Sequence, residues 1–67
     1  MFKLEMKTDY AAFHDEIDYE NETMNAYARA NEVARILRKV ADRVEAMAIE
    51  GSCIDINGNK VGEWNLE

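Results

Sequence analysis

The 67 residues predict a single α+β domain: a β-α-β-β chain whose three strands form an antiparallel sheet with one amphipathic helix packed on one face. Three observations predict it. Apolar side chains alternate over the first residues, recur every third or fourth residue through the middle, and alternate again on both sides of an Asn-Gly pair near the end. A period of two marks a half-buried strand, a period of about 3.6 an amphipathic helix, and Asn-Gly between alternating runs a hairpin.

The first strand is expected over residues 1–8, where Phe2, Leu4 and Met6 point one way and Lys3, Glu5 and Lys7 the other. Residues 9–23 read as an acidic connector, with a Thr8-Asp9 turn and Phe13 tucked under the sheet edge or the helix. A helix is predicted over 24–50, with Ala26, Ala30, Val33, Leu37, Val40, Val44 and Met47 as its core stripe and Ile36, Ala41 and Ala48 as flanks. Gly51 is its expected left-handed cap. Glu32, Arg35, Arg38, Lys39, Asp42 and Glu45 form the solvent face, where Arg38 and Asp42 are spaced for an ion pair. Arg29 breaks the phase, so the core-serving helix starts near Ala30. Asn31 is the cap of a shorter helix, Asn21 or Thr23 of a longer one whose extra turns overhang the sheet, where Tyr19, Met24 and Tyr27 either form an exposed patch or fold back on the sheet.

The hairpin occupies 52–66. A two-residue turn at Asn57-Gly58 pairs Ile56 with Asn59, Asp55 with Lys60 and Ile54 with Val61. Ile54, Ile56 and Val61 then share the core face, and Asp55 and Lys60 form an ion pair on the other. A bulge at Gly62 is needed to turn Trp64 and Leu66 inward. With the last strand central, it runs antiparallel to both neighbours.

Composition limits function. A chain this short buries only about 60% of its extended surface, so association with a second copy or a larger partner is an expected source of stability. One cysteine, Cys53, and one histidine, His14, cannot make a disulfide or a four-ligand zinc site. No cofactor or metal is expected. His14 has Asp15 and Glu16 beside it but no sequence pattern supplies the rest of a catalytic set, and Cys53 alternates with Ile54 inside a strand, so neither reads as catalytic. Asp55-Ile56-Asn57-Gly58-Asn59 begins like a calcium loop, but Lys60 and Leu66 stand where that template needs glycine and glutamate. The lone thiol and the absence of a signal-peptide pattern predict a reducing, cytoplasmic setting.

Charge is the informative feature. Between Lys7 and Arg29 lie six acids and no base: Asp9, Asp15, Glu16, Asp18, Glu20 and Glu22. The remainder carries eight acids and eight bases, so the whole net charge of −6 sits in this stretch. Direct binding to nucleic acid or to an anionic membrane is disfavoured. Asp15, Glu16, Asp18, Glu20 and Glu22, with Tyr19, Met24 and Tyr27 as apolar anchors, are the candidate partner-binding residues. Spaced carboxylates imitate nucleic-acid phosphates and suit a basic groove on a nucleic-acid-binding protein. A solvated connector that keeps the chain soluble is the plainer reading of the same residues. Arg35, Arg38 and Lys39, with Arg43 nearer the core, read as a salt-bridged solvent face rather than a phosphate site.

Thr8-Asp9-Tyr10-Ala11-Ala12-Phe13, Val33-Ala34-Arg35-Ile36-Leu37-Arg38, Val40-Ala41-Asp42-Arg43-Val44-Glu45 and Asp55-Ile56-Asn57-Gly58-Asn59-Lys60-Val61-Gly62 together resemble a group of small phage- and prophage-encoded proteins. The resemblance covers both ends of the chain and about half its residues, and departs between His14 and Asn31. It implies the strand–helix–hairpin fold and a non-enzymatic inhibitor of host defence or nucleic-acid machinery, anti-CRISPR proteins among them. A phage structural or regulatory accessory protein acting as a helix-mediated homodimer is the alternative.

Overall fold

The computed structural model describes residues 1–9 and 22–67, with side chains of the helix described from residue 26 onward. Phe13, His14 and the connector residues Asp15, Glu16, Asp18, Tyr19 and Glu20 lie outside the described residues. Four elements follow the predicted order: β1 (Phe2–Met6), α1 (Glu22–Glu45), β2 (Glu50–Ile54) and β3 (Lys60–Leu66). The sheet is antiparallel, as the sequence predicts, and its order β1-β3-β2 puts the last strand in the centre, a point the sequence left open. Because side chains alternate across a strand, the register places Leu4, Trp64 and Gly51 in one row of the inner face and Met6, Gly62 and Cys53 in the next. Lys3, Asn65 and Glu50, then Glu5, Glu63 and Ser52, make the corresponding rows of the outer face.

The core is small. Ile36 and Val40 of α1 meet Cys53, Val61 and Trp64 of the sheet, with Leu4, Met6, Val33, Val44 and Ala48 packed around them. The Trp64 ring centroid lies 6.1 Å from that of Phe2 on β1. The predicted helix stripe is rotated: Ile36, expected as a flank, is its buried centre, whereas Ala26 and Ala30 are exposed and Leu37 is 44% exposed. Glu32, assigned to the solvent face, is buried instead.

The helix also ends earlier than the predicted residue 50. Met47, not Gly51, takes the left-handed conformation, with φ 72°. Ala48 N donates to Arg43 O and Met47 N to Val44 O, each at 3.0 Å. These are the 6→1 and 5→2 bonds of a Schellman cap. Gly51 is required elsewhere: it sits inside β2 opposite Trp64, where a Cβ would lie 2.7 Å from the indole nitrogen.

The hairpin turn carries one residue more than predicted. Asp55 N donates to Asn59 O at 2.9 Å and Gly58 N to Asp55 O at 3.0 Å, with Gly58 at φ 85°. This is a three-residue loop of residues 56–58, and its left-handed position needs glycine. The register shift follows: Cys53 pairs with Gly62 but Ile54 with Lys60, so Val61 is the extra residue, one position before the predicted bulge. The bulge turns Trp64 inward as required, yet Leu66 remains 39% exposed. Cys53 takes the core place assigned to Ile54 and Ile56, which are 41% and 69% exposed.

Candidate partner-binding surface

At the hairpin end of the molecule, one charged network locks α1 to the turn. Glu32 accepts from Arg35 Nε at 2.6 Å and from Arg35 Nη2 at 3.1 Å, a two-pronged pair one helical turn long. Its second oxygen also accepts from the backbone N–H of Ile56 at 2.8 Å. Arg35 Nη2 reaches across to the carbonyl of Ile54 at 3.1 Å. The polar contact between helix and hairpin therefore runs through one carboxylate and one guanidinium.

Asp55 organises the turn itself. Its Oδ1 accepts from Asn57 N at 2.9 Å and from Asn59 N at 2.8 Å, and its Oδ2 from Asn59 Nδ2 at 3.2 Å. The carboxylate is thus occupied by its own loop, as in an Asx turn, and the predicted ion pair with Lys60 does not form. Lys60 lies 3.6 Å from Glu63 instead, both well exposed, a contact of little weight. The expected pair of Arg38 with Asp42 is also not present among the described residues.

These bonds set the titration. Hydrogen bonding by Arg35 lowers the Glu32 carboxyl below its ordinary 4.5, with help from Ile56 N–H and against the cost of burial. Burial works against the Asp55 charge, but hydrogen bonds from Asn59 and Asn57 outweigh it and leave the carboxyl below its ordinary 3.8. Both folded values are depressed, so both contributions are complete above the unfolded values and fade as pH falls through the folded ones. Urea midpoints are therefore expected to drop between about pH 5 and pH 3, and Glu32→Gln to flatten that drop while costing about 1 kcal/mol at neutral pH. Parallel pH profiles for the two proteins would contradict the assignment. Burial also pushes the Cys53 thiol up, which suits an inert core residue.

Before Glu32 the helix stands away from the sheet. Among residues 26–31 every side chain is exposed except the half-exposed Ala28, and Tyr27 is 64% exposed. Tyr27 thus projects from the overhanging turns, as the phase break at Arg29 predicts. Of the other candidates, Glu22 opens α1 and Met24 lies in its first turn, their side chains being outside those described. An acidic residue in a first helical turn is favoured by the helix dipole.

A second exposed surface is the outer sheet face. Lys3, Glu5, Glu50, Ser52, Glu63 and Asn65 border a shallow concavity of about 450 Å³. Glu5 stands directly opposite Glu63, a like-charge pairing that disfavours a negative partner here. Among the described residues no group of three or more His, Cys, Asp or Glu side chains is placed to hold a metal ion. No described helix is long and apolar enough to cross a membrane. Compared with known proteins, the chain matches no family model, no curated protein and no solved structure.

The sequence reading missed the network of Glu32, Arg35 and Asp55. Its signals are present: Glu and Arg three apart on a helix, and Asp two residues before Asn-Gly. Each has an ordinary solvent-exposed use, and only the placement of α1 over the hairpin joins them.

Proposed function

We propose that the chain is a non-enzymatic protein-binding domain that docks through the acidic 15–22 segment and the helix start beside it, onto a basic surface of a nucleic-acid-handling protein. One observation carries the reading. The whole net charge of −6 is concentrated in a stretch that runs straight into helical turns standing clear of the sheet, with Tyr27 exposed on them. Carboxylates supply fast, salt-sensitive encounter, and an exposed tyrosine supplies the buried anchor such an interface needs. Resemblance to small phage proteins supports an inhibitory role against host defence or nucleic-acid machinery in the bacterial cytoplasm, of the anti-CRISPR kind.

The test is a pull-down from bacterial lysate at low salt beside a bait in which Asp15, Glu16, Asp18, Glu20 and Glu22 are replaced by their amides. The expected result is a nucleic-acid-binding protein retained by the native bait alone, released by rising salt and displaced by added nucleic acid. Equal retention on both baits would leave the segment a solvated connector.

The exposed side of the helix, with Ala26, Ala30 and Leu37, favours a second reading as a helix-mediated homodimer. A strict monomer in sedimentation equilibrium at micromolar concentrations removes it.

A further inference from the structure

Among the described residues β2 is an edge strand whose outer side lies under the flank of α1, and the two form a groove. In an antiparallel ladder only alternate residues turn their N–H and C=O toward the neighbouring strand. Leu66 N donates to Ile49 O at 2.7 Å, so Ile49, Gly51 and Cys53 face β3 while Glu50, Ser52 and Ile54 face outward. The other ladder keeps the same count, with Lys7 N donating to Val61 O at 2.7 Å. Among the outward groups of β2, the Ile54 carbonyl is occupied by Arg35. Among the described residues no hydrogen bond occupies the outward backbone groups of Glu50 and Ser52.

Above this edge, Lys39 and Arg43 border a cleft of about 130 Å³ with Ser52 and Cys53, lined on its helix side by Ile36 and Val40. Neither cation makes an ion pair among the described residues. They are one helical turn apart, a rise of about 6 Å. Alternate residues of an extended strand are about 6.6 to 6.8 Å apart. Two carboxylates at i and i+2 of a strand beside β2 therefore match Lys39 and Arg43 together. β1 is the other edge strand among the described residues, but α1 packs along β2, so Lys39 and Arg43 stand over β2 alone.

We propose that this groove takes an extended segment of a partner protein, acidic at alternate positions, which adds to the sheet as a fourth strand beside β2. Backbone bonds to Glu50 and Ser52 supply pairing, and the two cations supply selectivity for carboxylates, the division of labour found in β-strand addition. The site is separate from the acidic helix start and does not depend on it. Charged side chains at an edge also serve to repel stray strands. A purely protective role predicts no ligand at all.

The test is fluorescence anisotropy with a labelled eight-residue peptide of alternating threonine and glutamate. Two controls are used: its threonine–lysine counterpart, and the same acidic peptide with alternate backbone nitrogens methylated. The acidic peptide alone is expected to bind the native chain, and the K39Q/R43Q variant to bind it about tenfold more weakly with an unchanged circular dichroism spectrum. The proposal is overturned by no binding up to about 1 mM, or by equal binding of either control peptide. It is also overturned by undiminished binding to the folded double variant. Both peptide controls are read on the native chain, so they decide the matter even where the double variant fails to fold.

Discussion

Replacing Gly62 by alanine is expected to cost about 3 kcal/mol or more and to leave much of the chain unfolded at room temperature. A Cβ at this position would lie 1.9 Å from the carbonyl oxygen of Glu5, 2.8 Å from Met6 Cα and 2.9 Å from the Glu5 carbonyl carbon. All three are backbone atoms of β1, so no side-chain rotation relieves the clash. The strand itself must withdraw. With it go Leu4 and Met6, which pack against the core. A domain of this size holds on the order of 3 to 10 kcal/mol in all, so losing one edge strand consumes much of it. Gly58 supplies the comparison. It sits at φ 85° with nothing within 4 Å of where a methyl group would stand, so Gly58→Ala meets only backbone strain, about 1 kcal/mol. Urea denaturation followed by circular dichroism ranks the two. A Gly62→Ala midpoint at or above that of Gly58→Ala would mean that β1 does not approach β3 so closely.

The strands, the closing hairpin and the one long helix were legible in the sequence because each rests on a local repeat, whereas the strand order was not, since no local repeat says which strand lies in the middle. The errors share a cause. Periodicity centres the helix stripe on Ala30, Val33 and Leu37, but burial follows Ile36 and Val40, with Glu32 beside them. The helix is rolled by the network that ties Glu32 and Arg35 to Ile54 and Ile56, and no window of consecutive residues contains both partners. Gly51 looked like a cap because glycine favours a left-handed turn. Its position under the indole of Trp64 is a requirement of cross-strand packing, and Met47 bears the left-handed strain in its place. Asn57-Gly58 announced a turn correctly but not its length, since the Asp55 carboxylate stabilises a loop longer by one residue.

The candidate surfaces divide the same way. Tyr27 could be placed on overhanging turns because Arg29 interrupts the apolar phase before the helix reaches the sheet. The β2 groove could not, because it is made from one helix flank and one strand edge whose adjacency is set by the whole fold. Charge separates the two surfaces further: a stretch of six acids without a base precedes the helix start, whereas Lys39 and Arg43 stand over β2. The chain thus carries opposite charges in two separate places.

Trp64 is the other residue on which the fold turns, and Trp64→Ala is expected to cost about 3 to 5 kcal/mol. Its side chain is 2% exposed and forms the largest part of a core with few other fully buried members. Its Nε1, however, is buried without a hydrogen-bond acceptor among the described residues. An unsatisfied buried donor carries a penalty of about 1 to 3 kcal/mol, so Trp64→Phe gives up ring area but sheds that penalty and should cost only about 1 kcal/mol. The same indole makes Gly51 indispensable, since a Cβ there would lie 2.7 Å from Nε1, 3.0 Å from Cε2 and 3.1 Å from Cζ2. Gly51→Ala should therefore cost about 1 to 3 kcal/mol in the native chain and little in the W64F background, where the smaller ring leaves room for a methyl group. The coupling between the two sites, about 1 to 2 kcal/mol in a double-mutant cycle, measures the contact directly. Additive losses would place the indole away from β2 and leave the glycine without a packing reason.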